Sequence, residues 1–137
     1  MPRVLRVMRK SEDGLPTVEQ TASGLGVRRG IDVDVDHHDQ VVMNGKGMSV
    51  APSWRDIDIR RIPKRLRDMV PGARGSNATF CFRFGAGPFV DGQLAQGLYL
   101  VVDSTTHGCV TPTESVALGN YEHDLAATRP GWELDET

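Results

Sequence analysis

The sequence contains few cysteines, and this scarcity excludes a class of small proteins. Cys81 and Cys109 are the only two cysteines among 137 residues. Two isolated thiols form neither a disulfide framework nor a cysteine-based zinc site. Each has apolar neighbours in the sequence, so we expect two buried structural thiols.

Long apolar runs and a strong charge of one sign are also absent. No stretch is apolar for long enough to form a signal peptide or a bilayer span, so we expect no membrane partner and a cytoplasmic site of action. Export without a cleavable signal would leave the same sequence. Lys and Arg number 16 against 18 Asp and Glu, and the formal net charge of −2 gives no global attraction to nucleic acid.

The glycine spacing of phosphate-binding loops is missing as well. Such loops place glycines at fixed offsets so that backbone N–H groups can approach an anion. After Gly24 and Gly26 the next glycine is Gly30, one residue too late for the dinucleotide-binding pattern, and no Gly-Lys-Ser/Thr triplet exists. A phosphate group must therefore be bound in another way.

A calcium loop is excluded by similar reasoning. Asp32, Asp34 and Asp36 have the spacing of the first three ligands of such a loop, but His37 and Met43 stand where glycine and glutamate are required. We expect no metal ion in this protein.

The patterns that are present predict one α+β domain over residues 1–137, with 132–137 as a flexible tail. Alternating or β-branched runs predict strands, and apolar residues at helical spacing predict helices. Predicted strands cover residues 3–8, 31–36, 41–43, 80–84, 98–102 and 107–111. Residues 85–97 predict a loop or bulged hairpin. Helices are predicted over 15–26 and through Leu118, Tyr121 and Leu125.

One segment, residues 54–68, is rich in cations. Its six basic residues exceed its three acids, so it is either a solvated basic surface or a site for phosphates or another anionic partner. A nucleic-acid partner is the less favoured alternative because Trp54 is the single aromatic beside the segment. The basic residues are Arg55, Arg60, Arg61, Lys64, Arg65 and Arg67.

His107 is the histidine whose position is most informative. It follows a Ser-Thr-Thr loop and precedes an apolar strand, where an imidazole can face a cleft. A structural hydrogen bond and a catalytic role are both compatible with this position.

Three segments resemble ADP-ribosyltransferase-like toxins. Leu5-Arg6-Val7 is similar to the first strand of these folds, in which an arginine holds the phosphates of NAD. Residues 45–50 resemble the Gly-Gly-x-Ser-Val segment of a toxin family first known as a bacterial type VI secretion effector, and residues 106–112 resemble its Thr-His and Pro segment. The resemblance implies a compact fold with a split mixed or antiparallel sheet, a C-terminal helix and an NAD-sized cleft.

The same resemblance implies a substrate and a set of roles. NAD would be the substrate, and the bond between nicotinamide and ribose would be broken. Arg6 would anchor the pyrophosphate, Ser49 would bind the ribose or brace the site, and His107 would orient a hydroxyl or the carboxamide. Glu114 would supply the carboxylate that stabilises the cationic sugar, and Tyr99 would contact NAD.

An enzyme of this type would be an NAD-dependent ADP-ribosyltransferase or an NAD hydrolase. The resemblance implies a toxin or effector with a macromolecular acceptor and a protein antitoxin or immunity partner. The chain lacks the Ser-Thr-Ser triplet and the Glu-x-Glu pair of arginine-modifying transferases. A non-catalytic interaction module, antitoxin-like or an adaptor, that uses the basic segment is therefore the alternative.

Overall fold

The computed structural model describes residues 1–136. Its strands are β1 Val4–Arg9, β2 Met48–Val50, β3 Thr79–Phe84, β4 Gly92–Ala95, β5 Leu98–Ser104, β6 His107–Pro112 and β7 Glu133–Leu134, and its α-helix is α1, Leu118–Ala127. Short 3-10 turns cover Trp54–Asp56, Lys64–Leu66 and Arg129–Gly131. None of the helices within residues 1–136 has the length and apolar character needed to cross a bilayer. The α+β class and the C-terminal helix are as predicted.

The strands form two antiparallel sheets that meet at one short contact. One sheet has the order β1-β3-β7, and the other has the order β2-β6-β5-β4. Leu5 on β1 and Ala51 just after β2 exchange both backbone hydrogen bonds, at 2.9 and 3.0 Å, and so join the edges of the two sheets. The side chain of Arg6 on β1 also reaches β2, where it donates to the carbonyl of Ser49 at 2.8 Å.

β1 lies between two hydrophobic clusters because its side chains alternate across the strand. Val4 and Met8 belong to the larger cluster, which fills the space between the sheets and α1. Leu5 and Val7 face the smaller cluster, which packs against the segment after β2. β1 is therefore buried on both faces, which explains why Val4, Leu5, Val7 and Met8 are all apolar.

Helix α1 is attached to the four-stranded sheet by a buried tyrosine as well as by apolar packing. The Tyr121 hydroxyl accepts a hydrogen bond from the backbone N–H of Met48 at 3.1 Å and donates one to the carbonyl of Val110. Burial raises the pKa of Tyr121, so the hydroxyl keeps the proton that it donates.

The predicted strands at 3–8, 80–84, 98–102 and 107–111 are confirmed as β1, β3, β5 and β6. The bulged hairpin expected within residues 85–97 is also confirmed, because β4 pairs with β5 through a register shift between Gln93 and Ala95. The basic segment 54–68 is mostly irregular, with 3-10 turns at Trp54–Asp56 and Lys64–Leu66.

The predicted helix over residues 15–26 is wrong. The segment consists of turns and isolated bridges, and its carbonyl groups at Thr21 and Gly24 accept hydrogen bonds from Arg6. Glycines at 24 and 26 have poor helix propensity, and tertiary hydrogen bonds to an arginine cannot be read from helical periodicity.

The strands predicted at 31–36 and 41–43 are also wrong. Val33 and Val35 form only isolated bridges, and Ile31 is 62% exposed although it shares their alternation. The Asp32 carboxylate closes a tight turn by accepting from the backbone and side chain of Arg28 at 2.8 to 3.0 Å. A local turn thus replaces the half-buried strand.

The flexible tail predicted for 132–137 is wrong over 132–136, and Thr137 lies outside the described residues. Trp132 is 2% exposed, and its indole Nε1 donates to the Thr128 hydroxyl at 2.9 Å. β7 pairs with β3, and Glu136 forms a 2.6 Å ion pair with Arg65. The other two carboxylates of this segment also have a cationic partner, because Glu133 and Asp135 lie 2.7 and 3.5 Å from the guanidinium of Arg83.

Both cysteines are free and buried, as predicted. Burial raises the pKa of Cys81 to about 12. Because the thiolate is the reactive form, we expect Cys81 to react with a thiol reagent at pH 8 only after the protein unfolds. The Cys109→Ser variant, which leaves Cys81 as the single thiol, allows this reaction to be followed with Ellman's reagent. Labelling at equal rates in buffer and in urea would contradict the expected protection.

Candidate functional site

A cavity of about 160 Å³ is lined by residues from the adjoining edges of the two sheets. Small-molecule sites commonly enclose about 300 to 1,000 Å³, so this cavity has room for one part of a dinucleotide. Residues from β1, from β2 and the segment after it, and from the start of β6 line it. They are Leu5, Arg6, Val7, Ser49, Val50, Ala51, Asp56, Ile57, Asp58, Arg61 and His107.

Arg6 places a buried cation in the wall of this cavity. The residue is 4% exposed, and its guanidinium donates to the carbonyl of Ser49 at 2.8 Å and to that of Gly24 at 3.0 and 3.2 Å. A longer contact of 3.4 Å reaches the carbonyl of Thr21. Four hydrogen bonds engage a group that has five N–H donors, so one Nη1 N–H has no acceptor within residues 1–136.

The charge of Arg6 is solvated by carbonyl dipoles and has no carboxylate partner within residues 1–136. Burial lowers the pKa of Arg6 to about 10, and the positive charge of Arg61 acts in the same direction. The guanidinium is therefore still protonated at neutral pH. The Asp32 carboxylate acts in the opposite direction on this pKa but forms no ion pair with Arg6 within residues 1–136. The buried cation therefore favours an anion in the adjoining cavity.

Further charged groups enter the cavity from the segment after β2. Arg61 donates to the carbonyl of Ala22 at 2.7 Å, which fixes its guanidinium at the cavity wall. The hydrogen bond from Arg60 lowers the pKa of Asp58 to about 2. Asp56, in the first 3-10 turn, forms no ion pair among the described residues. The cavity thus combines two arginines with two carboxylates.

His107 is held in one orientation by a carboxylate. Its Nδ1 lies 2.9 Å from both carboxylate oxygens of Asp103. Because an ionised carboxylate only accepts hydrogen bonds, Nδ1 must carry a proton, and Nε2 of the neutral ring is an acceptor. This arrangement is typical of imidazoles that move or hold a proton.

The structure brings Arg6, Ser49 and His107 together at this cavity. Ser49 lies opposite Cys109 in the pairing of β2 with β6, and its carbonyl binds Arg6. Residues that are far apart in the sequence therefore share one wall.

Glu114 and Tyr99 do not belong to this cavity. His107 is the first residue of β6 and Pro112 is the last, and a six-residue strand spans about 17 Å. Glu114 comes two residues after Pro112, beyond the opposite end of the strand from His107. Glu114 is exposed, and Tyr99 pairs with Thr111 near the same far end of the sheet with 38% of its surface exposed. The carboxylates at the cavity are instead Asp56 and Asp58.

In the sequence, Asp56 and Asp58 are recognisable only as acids that reduce the net charge of the basic segment. They reach the cavity because the segment after β2 packs against β1. No pattern in the sequence predicts that packing. Arg61 was in the predicted basic set but was not connected to Arg6.

Most cations of the basic segment are engaged within the protein. Arg60 pairs with Asp58 at 2.6 Å, Arg65 pairs with Glu136, and Arg67 donates to the carbonyl of Ala73 at 3.1 Å. Arg61 faces the cavity as described. These internal contacts favour a structural surface over a continuous track for a polyanion.

Cys109 lies beside the Asp103–His107 pair. Ligand atoms of the three side chains are all within 4.8 Å of one another. Burial raises the pKa of Cys109, the Asp103 carboxylate adds to this effect, and a hydrogen bond from the backbone N–H of Gly47 opposes it.

The fold and the site together define a small α+β protein with a cation-bearing cavity between two antiparallel sheets. Comparison of the chain with protein-family models, curated proteins and solved structures found no match.

Proposed function

We propose that this chain is an NAD-consuming toxin or effector domain of ADP-ribosyltransferase-like fold. The observation that carries the proposal is that Arg6, Ser49 and His107, taken from three separate resembling segments, line one cavity. The split between the two antiparallel sheets is also the feature that the resemblance implies. The partners that follow from the proposal are a macromolecular acceptor and a protein that neutralises the toxin.

The cations of the cavity suit the phosphates of NAD. Within residues 1–136, Arg6 forms no ion pair and has one N–H without an acceptor, and Arg61 adds a second guanidinium. Guanidinium groups bind phosphate oxygens with two parallel hydrogen bonds. Because the cavity is only about 160 Å³, it would hold one part of NAD while the remainder lies over its mouth.

The anionic and basic groups of the cavity suit the reaction. Breaking the bond between nicotinamide and C1′ of the ribose leaves positive charge on the sugar, which a carboxylate stabilises. Of the two carboxylates at the cavity, Asp56 forms no ion pair within residues 1–136, so it would take the role that the resemblance assigns to Glu114. His107 Nε2 would accept the proton of the attacking water or acceptor hydroxyl while Asp103 holds the ring.

In hydrolysis, the oxygen of water forms a bond to C1′ as the bond to nicotinamide breaks. The products are ADP-ribose, nicotinamide and one proton, which His107 passes to solvent. In the transferase reaction a nucleophile of the acceptor macromolecule replaces water.

Nicotinamide release from NAD tests the proposal. We expect His107→Ala and Asp56→Asn each to lower the rate by about 10²-fold or more, the usual contribution of an acid–base or charge-stabilising group. His123→Ala is the matched control because His123 is an exposed histidine on α1 that does not line the cavity. The proposal is rejected if the parent protein neither releases nicotinamide nor gains thermal stability from NAD.

A further inference from the structure

We propose that Asp103, His107 and Cys109 form a binding site for a zinc-like divalent metal ion. The three residues offer one carboxylate oxygen, one imidazole nitrogen and one sulfur, and these atoms all lie within 4.8 Å of one another. The site goes beyond the proposed NAD chemistry and reverses the expectation from the sequence that the protein has no metal ion.

The β5–β6 hairpin explains why these residues are neighbours. His107 and Cys109 are two residues apart on β6, so their side chains project from the same face of the sheet. Asp103 is near the end of β5, and the pairing of Ser104 with His107 brings it across the tight turn. The Ser104 and Thr106 hydroxyls, 3.2 Å apart, hold that turn.

The distances suit a tetrahedral ion after small side-chain rotations. Zinc bonds of about 2.0 to 2.3 Å at tetrahedral angles place ligand atoms about 3.3 to 3.6 Å apart. The present separations run from 2.9 Å between His107 and Asp103 up to 4.8 Å at most. The required spacing falls between these values.

The donor set indicates which metal ion is bound. Thiolate and imidazole favour zinc and cobalt over magnesium and calcium, which prefer oxygen ligands alone. Binding of the ion displaces the thiol proton of Cys109 to solvent and moves the Nδ1 proton of His107 to Nε2, so that Nδ1 is free to bind the ion. One thiolate and one carboxylate then balance the two positive charges. Three protein ligands leave the fourth position for a water molecule, as in zinc sites that are open to solvent.

Exposure at the site allows an ion to enter. The side chains of Asp103 and His107 are 52% and 43% exposed. Cys109 is buried beside them and is 8% exposed. His107 also lines the candidate NAD cavity, so a bound ion would occupy the imidazole on which the proposed reaction depends. Zinc would then inhibit NAD cleavage.

Titration of the reduced, metal-free protein with Co²⁺ tests the site without using NAD. We expect one ion per chain, with the near-ultraviolet thiolate-to-cobalt charge-transfer band and the strong visible bands of tetrahedral cobalt, all lost when Zn²⁺ displaces Co²⁺. Mg²⁺ should not compete. Cys109→Ser should abolish the charge-transfer band, and His107→Gln and Asp103→Asn should weaken Co²⁺ binding by at least about tenfold.

Cys81→Ser is the matched control, because Cys81 lies in the separate smaller cluster and should leave the spectrum unchanged. Absence of the charge-transfer band in the parent protein overturns the site, as does a band that survives in Cys109→Ser. Should Cys109→Ser fail to fold, His107→Gln decides, since its half-exposed side chain leaves the core intact and unweakened binding in that variant rejects the site.

Discussion

Replacement of Arg6 by methionine is expected to lower the free energy of unfolding by about 2 to 4 kcal/mol. The change leaves the carbonyls of Gly24 and Ser49 without their donor inside the fold. Each hydrogen bond to a charged group contributes about 1.5 to 3 kcal/mol, and removal of a buried cation returns part of this loss because its desolvation cost disappears. Urea unfolding followed by circular dichroism measures the difference.

Arg9→Ala is the control for this experiment, because Arg9 is on the same strand with an exposed side chain. We expect the control to change stability by less than about 0.5 kcal/mol. Equal stability of Arg6→Met and the parent protein would show that the two carbonyls do not need the guanidinium.

The same variant separates a structural role of Arg6 from a role in binding. If the unpaired charge serves an anion, then ADP-ribose or pyrophosphate should raise the melting temperature of the parent protein and of Arg9→Ala. Arg6→Lys keeps the charge but cannot reach several carbonyls at once, so it should lose stability and keep part of the anion effect. Stabilisation that persists in full in Arg6→Met would place the anion elsewhere.

The sequence predicted those elements whose packing is visible in local periodicity. A regular set of apolar side chains is buried by each of β1, β3, β5, β6 and α1. The apolar pattern of each segment was therefore enough to predict its secondary structure. The secondary structure predicted for residues 15–26 and 31–36 is wrong because hydrogen bonds to side chains determine the backbone conformation there. Arg6 binds the carbonyls of the first segment, and Asp32 closes a turn in the second.

Three residues of the candidate site could be predicted from the sequence, and its carboxylates could not. The resembling segments identified Arg6, Ser49 and His107, and the structure places all three at one cavity. Asp56 lines that cavity because the segment after β2 packs against β1, and this packing is not visible in the sequence. Glu114 was chosen by its order along the chain, and it lies beyond the opposite end of β6 from His107. Which side chains lie close together depends on the pairing register of the strands, and the order of residues along the chain does not reveal that register.

The second large effect is expected for Trp132→Ala, which should lower the free energy of unfolding by about 3 to 5 kcal/mol. The indole is fully enclosed in the larger cluster, contacts the Phe84 ring with 5.3 Å between ring centroids, and donates to Thr128. Its removal opens a large cavity and leaves the Thr128 hydroxyl without one partner. Circular dichroism is the suitable probe because the substitution removes a fluorophore.

Leu134→Ala is the matched control within the same segment, since Leu134 is 48% exposed and should lose less than about 1 kcal/mol. A flexible tail would make the two substitutions equally harmless, whereas a docked segment makes the tryptophan much more costly. The packing of Trp132 also affects the candidate site, although the tryptophan does not line the cavity. Residues after α1 cover β3, β3 pairs with β1, and β1 presents Arg6 to the cavity, so loss of Trp132 should weaken ligand-induced stabilisation together with the fold.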